Sequence, residues 1–238
     1  IEVWNDVFMQ YEKKDGKIVG KLPKPSVDTG AGLERLTMTL QGVDNIYDTD
    51  LFMPLMKEIE KFSNPKKFNL RSQRIVADHI RSSVMLIADG VIPSNTDRGY
   101  VLRKLIRRAV RHANIIEMKY GSEREINGLF SLVEVVVDGY KDSIPDLSGK
   151  LEDIKGWIVA EELRFLEILR KGGIVELKKF FNMAVGGIDP ENLPNGMVIR
   201  NNTLRIDGRK VFALYQSHGI PIEVSQETMK EWGVEFDE

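Results

Sequence analysis

Two glycines in the segment SVDTGAGLERL, at 26–36, have the spacing of a phosphate-binding junction. An extended run ends at Gly30, Gly32 follows, and a helical apolar pattern begins at Leu33 and carries Arg35. Glycines at a strand-to-helix junction allow a ligand to approach the backbone closely, and a helix start favours anionic groups. Arg35 adds a planar charged fork that suits phosphate oxygens. These residues suit a phosphate site, but an ordinary strand–turn–helix junction has the same pattern and is the more common explanation of two such glycines alone.

A cationic helix predicted over residues 98–113 is the second candidate. One side has an apolar stripe, and the other side carries Arg103, Lys104, Arg107, Arg108 and Arg111. Like charges four residues apart repel by about 0.2–0.5 kcal/mol per pair, so this face is either solvated or placed against a polyanion. Arginine outnumbers lysine here and forms bidentate contacts with phosphate, which argues for the polyanion, although helix faces of this kind are more often simply solvated. A merely solvated face stays open as the alternative.

Several strings resemble one family in order and spacing. GAGLER is similar to motif 3 of the class II aminoacyl-tRNA synthetases, and the whole set resembles the alanyl-tRNA synthetase family. The strings that carry the resemblance are IEVWNDVFMQY (1–11), LPKPSVDTGAGLERL (22–36), NIYDTDLF (45–52), IVADHIRSSVMLIADGVIPSN (75–95) and RGYVLRKLIRRAVRH (98–112). Shorter matches return at 160–173 and 212–224.

The resemblance implies an amino-acid and ATP site in the first segment. Asp28 matches the aspartate that holds the substrate's ammonium group, and Asn5 matches an asparagine of the alanine pocket. Gly30 would leave room for the alanine methyl group. Gly32 and Arg35 would contact ATP, which the full-length enzyme uses together with Mg²⁺.

The resemblance also implies recognition of the tRNA acceptor stem and its G·U wobble pair. Asn95 stands at the family's asparagine position, and Gln216 replaces the aspartate that recognises the pair from the other side. A glutamine oxygen still accepts a hydrogen bond, but without the strength of a charged acceptor. The predicted tRNA-binding residues are Asn95, Arg98, Arg103, Lys104, Arg107, Arg108, Arg111 and Gln216.

Motifs 1 and 2 of the class II synthetases and an editing domain are not found in this sequence, and the first residue is Ile1. We therefore expect a piece of a longer ligase, cytoplasmic, that binds acceptor-stem RNA and is inactive alone. The alternatives are a stand-alone helical RNA-binding module without catalysis and a helical interaction protein. The sequence does not fix the oligomeric state.

Composition limits the other possibilities. The 238 residues are 42% hydrophobic with a net charge of −2, so a nucleic-acid site must be a local patch. There is no cysteine and there are three histidines, so neither zinc nor another metal site is expected. No apolar run approaches the roughly 20 residues that span a bilayer, so no membrane partner is expected.

The elements that must position these residues follow from turn signals and periodicity. Asp15-Gly16 predicts a hairpin whose return strand ends near Leu22. Helices are predicted from Leu33 to Gly42, then over 49–62, 71–89, 98–113, 123–140 and 150–171, and from Asp207 to about Ser217, with a second hairpin at 198–206. The predicted fold is α+β and mostly α. The resemblance implies that a catalytic remnant at 1–45, with part of a class II antiparallel sheet, precedes a helical tRNA-recognition domain at 46–238.

Overall fold

The computed structural model describes residues 2–119, 128–169, 197–200, 203–218, 222–231 and 235–237. The chain divides into two compact units, Ile1–Lys57 and Glu58–Glu238. This division assigns no role to either unit, so the domain roles expected for 1–45 and 46–238 stay predictions. Parts of the predicted helices at 123–140 and 150–171, including the glycine stop at 172–173, lie outside the described residues.

The first unit begins with a long antiparallel hairpin, as predicted. Strand β1 (Trp4–Lys14) pairs with β2 (Lys17–Ala31), and left-handed φ angles of 49° at Asp15 and 80° at Gly16 form the turn. The return strand is longer than expected. It continues past Pro23 and Pro25, which fall where the register shifts between Met9 and Tyr11. Proline has no N–H for a ladder, so the pairing is interrupted there rather than ended.

Helix α1 (Leu33–Gln41) follows and ends at Gly42, whose φ of 67° is left-handed. A 3₁₀ turn at Ile46–Asp48 comes next, and the Asn45 side chain accepts from the Tyr47 N–H. Helix α2 (Met53–Phe62) begins later than the predicted Thr49, because residues 49–52 form a turn. The helix predicted from Leu33 to Gly42 is therefore confirmed, and the N-terminal boundary of the second was placed too early.

The second unit is built on a helical bundle of α3 (Leu70–Ala88), α4 (Asp97–Ile115), α5 (Leu129–Tyr140) and α6 (Leu151–Ile168), with a 3₁₀ segment at Pro145–Lys150 before α6. Helix α3 packs against α4, α5 and α6. Apolar stripes at helical spacing form the core, which includes Val76, Ile80, Val84, Leu102, Ile106, Leu132, Val136, Ile158 and Phe165. Gly90, with a φ of 86°, follows α3 where the sequence predicts its end.

The last described elements are a small sheet and two helices. Strands β3 (Met197–Arg200) and β4 (Thr203–Asp207) form the predicted hairpin, and Asp207 accepts from the Arg209 N–H at the start of α7 (Gly208–His218). Helix α8 (Ile222–Glu231) and strand β5 (Glu235–Asp237), which pairs in parallel with β4, were not predicted. Strand β5 has only three residues, of mixed polarity, so it gives no periodic signal in the sequence. The mostly helical α+β class is confirmed.

Candidate functional site

The hairpin register brings three predicted amino-acid-binding residues onto one face. Asn5 lies directly opposite Gly30, and Val7 lies opposite Asp28. Paired residues share a face, and alternate residues along a strand share it too. Asn5, Asp28 and Gly30 therefore form one exposed patch beside α1 in the same unit.

Hydrogen bonds within this unit hold Asn5 and Arg35 through one residue that the sequence analysis missed. Asn5 Nδ2 donates to Glu2 Oε1 at 3.0 Å, and Arg35 Nη1 donates to the Glu2 carbonyl at 2.8 Å. No motif in the sequence identifies Glu2, because its hydrogen bond with Arg35 forms only when the hairpin brings the start of α1 back beside residue 2.

The two glycines of the junction differ in what surrounds them. A Cβ added at Gly30 would meet no atom within 4 Å, whereas one at Gly32 would lie 3.4 Å from Arg35 Cδ. Gly32 therefore allows the Arg35 side chain to lie against the backbone. At Gly30 the described chain leaves open space above the strand.

Asn95 projects from a tight turn between α3 and α4. The Ser94 N–H donates to the Gly99 carbonyl at 3.1 Å, and Asp97 has a left-handed φ of 50°. A Cβ at Gly99 would lie 2.3 Å from Ser94 Oγ and 2.4 Å from the Ile92 carbonyl. Only glycine fits at position 99. The left-handed φ of Asp97 also costs conformational energy, because Asp97 is not a glycine. The turn is thus held in one closely packed shape with Asn95 exposed on it.

A buried carboxylate on α6 engages two of the predicted arginines. Glu161 Oε1 accepts from Arg103 Nε at 3.0 Å and from Arg107 Nε at 2.6 Å. The Arg107 guanidinium also lies 5.3 Å from the centre of the Phe165 ring. Burial lowers the pKa of Arg107, and Glu161 opposes that change by favouring the charged form. Arg103 Nη1 in turn donates to Asn95 Oδ1.

The predicted exposed arginine stripe is therefore wrong for two of its members. Arg107 is 4% exposed and Arg111 is 9% exposed. The Arg107 guanidinium faces the bundle because its partner Glu161 lies on the apolar stripe of α6, at the spacing of Ile154, Ile158 and Phe165. That spacing was the sequence signal for a buried acid.

The other predicted cations remain accessible to differing degrees. Arg98 is exposed, and Lys104 lies partly covered with its Nζ 5.0 Å from the centre of the Tyr100 ring. Arg108 Nη1 donates to His79 Nε2 at 3.1 Å. Gln216 is exposed on α7.

No helix among the described residues has the length and apolar character needed to cross a membrane. Within those same ranges, no three histidine or acidic side chains are grouped so that they could hold a metal ion.

Comparison with known proteins gives one consistent result. The family model described as "tRNA synthetases class II (A)" matches residues 1–238. An alanine–tRNA ligase of Francisella philomiragia subsp. philomiragia is 38% identical over 238 residues, which are 100% of this chain and 25% of that protein. Those of Francisella tularensis subsp. novicida and Endomicrobium trichonymphae are 39% and 38% identical, with the same coverage. The chain thus spans about a quarter of the length of these relatives.

Proposed function

Because the chain belongs to the family of class II (A) tRNA synthetases, we propose that it is part of an alanine–tRNA ligase and that this part recognises the tRNA acceptor stem. The whole enzyme would activate alanine with ATP and transfer it to tRNA. The hairpin and α1 would contribute contacts to the amino acid and ATP. The turn that carries Asn95 would recognise the G·U wobble pair.

The hairpin patch supports the amino-acid role. The Asp28 carboxylate would hold an ammonium group. Asn5 lies on the same face, two residue pairs further along the hairpin. The open space above Gly30 would admit a methyl group close to the backbone. These groups act by binding and orienting the substrate, which contributes to catalysis without covalent chemistry.

Gly32 and Arg35 fit a phosphate group on chemical grounds. Arg35 is exposed, and one of its nitrogens is fixed by the Glu2 carbonyl, so the fork is held beside the start of α1. The whole enzyme would use Mg²⁺ together with ATP.

The RNA role depends on the accessible minor groove of an A-form stem. There a G·U pair presents the guanine 2-amino group, which needs a hydrogen-bond acceptor. The Asn95 amide oxygen is such an acceptor, and the turn holds it at the surface. Gln216 would be a weaker second acceptor. Arg98, Lys104 and Arg108 would contact backbone phosphates, whereas Arg107 and Arg111 would support the bundle from within.

The single observation that carries this proposal is the exposed Asn95 on a glycine-dependent turn, with its amide fixed by Arg103. The test is titration of the 238-residue chain with acceptor-stem minihelices that carry G·U or G·C at the wobble position, at several salt concentrations. We expect preference for G·U, abolished in Asn95→Ala, and affinity that falls steeply with salt because phosphate contacts release counterions.

Asn114→Ala is the matched control, because Asn114 is also an exposed asparagine but lies at the C-terminal end of α4, away from the turn that carries Asn95. It should keep the G·U preference. Equal affinity of the native chain for both stems would refute wobble recognition. Affinity that does not change with salt would instead favour a helical interaction protein.

A further inference from the structure

We propose that Glu161 is a positioning residue for RNA recognition: acting through Arg103, it fixes the orientation of the Asn95 amide and so sets which hydrogen-bonding atom the turn presents. This inference rests on the proposed function for its consequence in RNA binding. Its structural part, the fixed amide, stands on contacts within the second unit.

The base of the arrangement is buried. The Glu161 side chain is 2% exposed and the Arg107 side chain 5% exposed, and Arg107 also lies against the ring of Phe165. A buried carboxylate is stable only when cations and donors compensate its charge. Glu161 and Arg107 therefore form a fixed joint between α6 and α4.

Arg103 extends from that joint toward the surface. Its side chain is 23% exposed; its Nε donates to Glu161 Oε1 at 3.0 Å, and its Nη1 donates to Asn95 Oδ1. The guanidinium is planar, so fixing Nε on one partner also fixes the direction in which Nη1 points. Helix α6 thus determines the position of a donor beside a turn that lies 66 residues earlier than Glu161 in the chain, at Asn95.

A fixed donor decides the orientation of an amide. The terminal torsion of asparagine is broad and roughly two-fold, so a free amide exchanges its oxygen and nitrogen positions. Arginine only donates, so it selects the orientation in which Oδ1 faces Arg103. One lone pair of Oδ1 remains for the guanine 2-amino group, and the two Nδ2 hydrogens point elsewhere. Without Arg103 the same position would present a donor in part of the population.

A simple phosphate contact by Arg103 is the competing explanation, and a charge-preserving variant separates the two. Arg103→Lys keeps the charge but cannot hold Glu161 and Asn95 with one planar group. Glu161→Asp keeps the charge of the joint and withdraws the carboxylate by one methylene. We expect each variant to lower the G·U over G·C affinity ratio about threefold to tenfold, the range expected for one hydrogen bond. The affinity for the G·C stem should remain within about twofold.

Arg164→Lys is the matched control. Arg164 Nη1 lies 3.8 Å from Glu161 Oε2, but the Arg164 side chain is 62% exposed and belongs to α6 itself. This variant should leave the affinity ratio unchanged. If Arg103→Lys keeps the native ratio, or weakens binding to both stems equally, the positioning role is wrong.

An experiment without RNA distinguishes this inference from the proposed function. Nuclear magnetic resonance relaxation of the ¹⁵N-labelled Asn95 side-chain amide should show an ordered group in the native chain. It should show a mobile group in Arg103→Lys and Glu161→Asp. Unchanged order in both variants would overturn the inference whatever the RNA affinities are. The Asn95 amide could be ordered in the native chain and mobile in both variants while the native chain shows no preference for G·U. That result would support the inference and refute wobble recognition.

Discussion

The Glu161 carboxylate is almost completely removed from water, and at the residue scale this explains the role of the arginines on α4. Charge compensation by Arg103 and Arg107 permits a carboxylate on the apolar stripe of α6. The like charges on α4 therefore do not require a polyanion at every position. Arg107 stabilises the bundle, whereas Arg103 connects the bundle to the surface.

We predict that Arg107→Ala lowers the free energy of unfolding by about 3–5 kcal/mol, because removing one partner of a buried ion pair leaves the other charge poorly compensated. Urea denaturation followed by circular dichroism measures this change. Arg98→Ala, at an exposed position, is the control and should change stability by about 0.5 kcal/mol or less. A fully stable Arg107→Ala chain would contradict the structural role of Arg107.

At the same scale, the sequence identifies the residue types of the site but not all of their environments. Asn5, Asp28 and Gly30 follow from the resemblance, but the hairpin register that puts them on one face does not follow from the Asp15-Gly16 turn, because two register shifts separate these residues from the turn. The burial of Arg107 depends on an acid 54 residues away in the sequence. Helical spacing alone does not reveal that pairing, although the position of Glu161 among apolar residues indicates its burial.

At the scale of elements, the α3–α4 connection decides whether Asn95 can be presented. The connection is short, and it packs so closely against Gly99 in the first turn of α4 that no side chain fits at that position. Gly42 and Gly90, which follow α1 and α3, could be predicted as helix ends from the sequence, because glycine after a periodic run is a common helix end. The close approach of Ile92 and Ser94 to Gly99 could not be predicted, because it arises when residues 92–94 fold back onto the first turn of α4.

We predict that Gly99→Ala displaces the turn and removes the G·U preference, because its Cβ would lie 2.4 Å from a backbone carbonyl. Gly156→Ala is the control, at an exposed helical position where a Cβ meets no atom within 4 Å. The control should raise stability by about 0.5–1 kcal/mol, since alanine favours helix more than glycine. Minihelix titration and urea denaturation test both variants. Native stem preference in Gly99→Ala would show that the turn does not determine recognition.

A hydrogen bond between two neighbouring residues of α3 predicts a pH dependence. His79 Nδ1 lies 2.9 Å from Asp78 Oδ2, and this hydrogen bond is the main reason that the pKa of Asp78 is lowered. A carboxyl whose pKa is lower in the folded state stabilises the fold above its unfolded pKa. This contribution is lost as the pH falls through the folded-state pKa.

We therefore predict that Asp78→Asn loses less stability than the native chain on acidification below about pH 5. The Asp78 side chain is 42% exposed, so solvent screening limits the difference to about 1 kcal/mol or less. Urea denaturation at a series of pH values measures it. Identical profiles for Asp78→Asn and the native chain would contradict the prediction.

At the scale of the whole molecule, the two units differ in how well their apolar residues are covered. The bundle buries its stripes, whereas the hairpin leaves Phe8 71% exposed and Trp4 59% exposed. A two-stranded ribbon is marginal in isolation. Helices α1 to α7 and the mostly α class could be predicted because long periodic segments give strong signals, whereas helix α8 was not predicted. Strand β5 could not, because it is set by pairing with β4 rather than by local pattern.

We predict that the 238-residue chain alone does not catalyse alanine-dependent pyrophosphate exchange. Asn5 and Asp28 lie on an exposed face of the hairpin, and a small substrate requires an enclosing pocket for specific binding. The full-length alanine–tRNA ligase of Francisella philomiragia is the positive control. Exchange activity of the 238-residue chain above background would show that it contains a complete activation site.

The most direct test of acceptor-stem recognition changes one functional group of the RNA. Inosine lacks only the 2-amino group of guanine, so minihelices with G·U and I·U pairs differ at the proposed contact with Asn95. We predict that the native chain binds the G·U stem about threefold to tenfold more tightly than the I·U stem, as expected for one hydrogen bond. Asn95→Ala should bind both equally. Equal affinity of the native chain for the two stems would contradict the account.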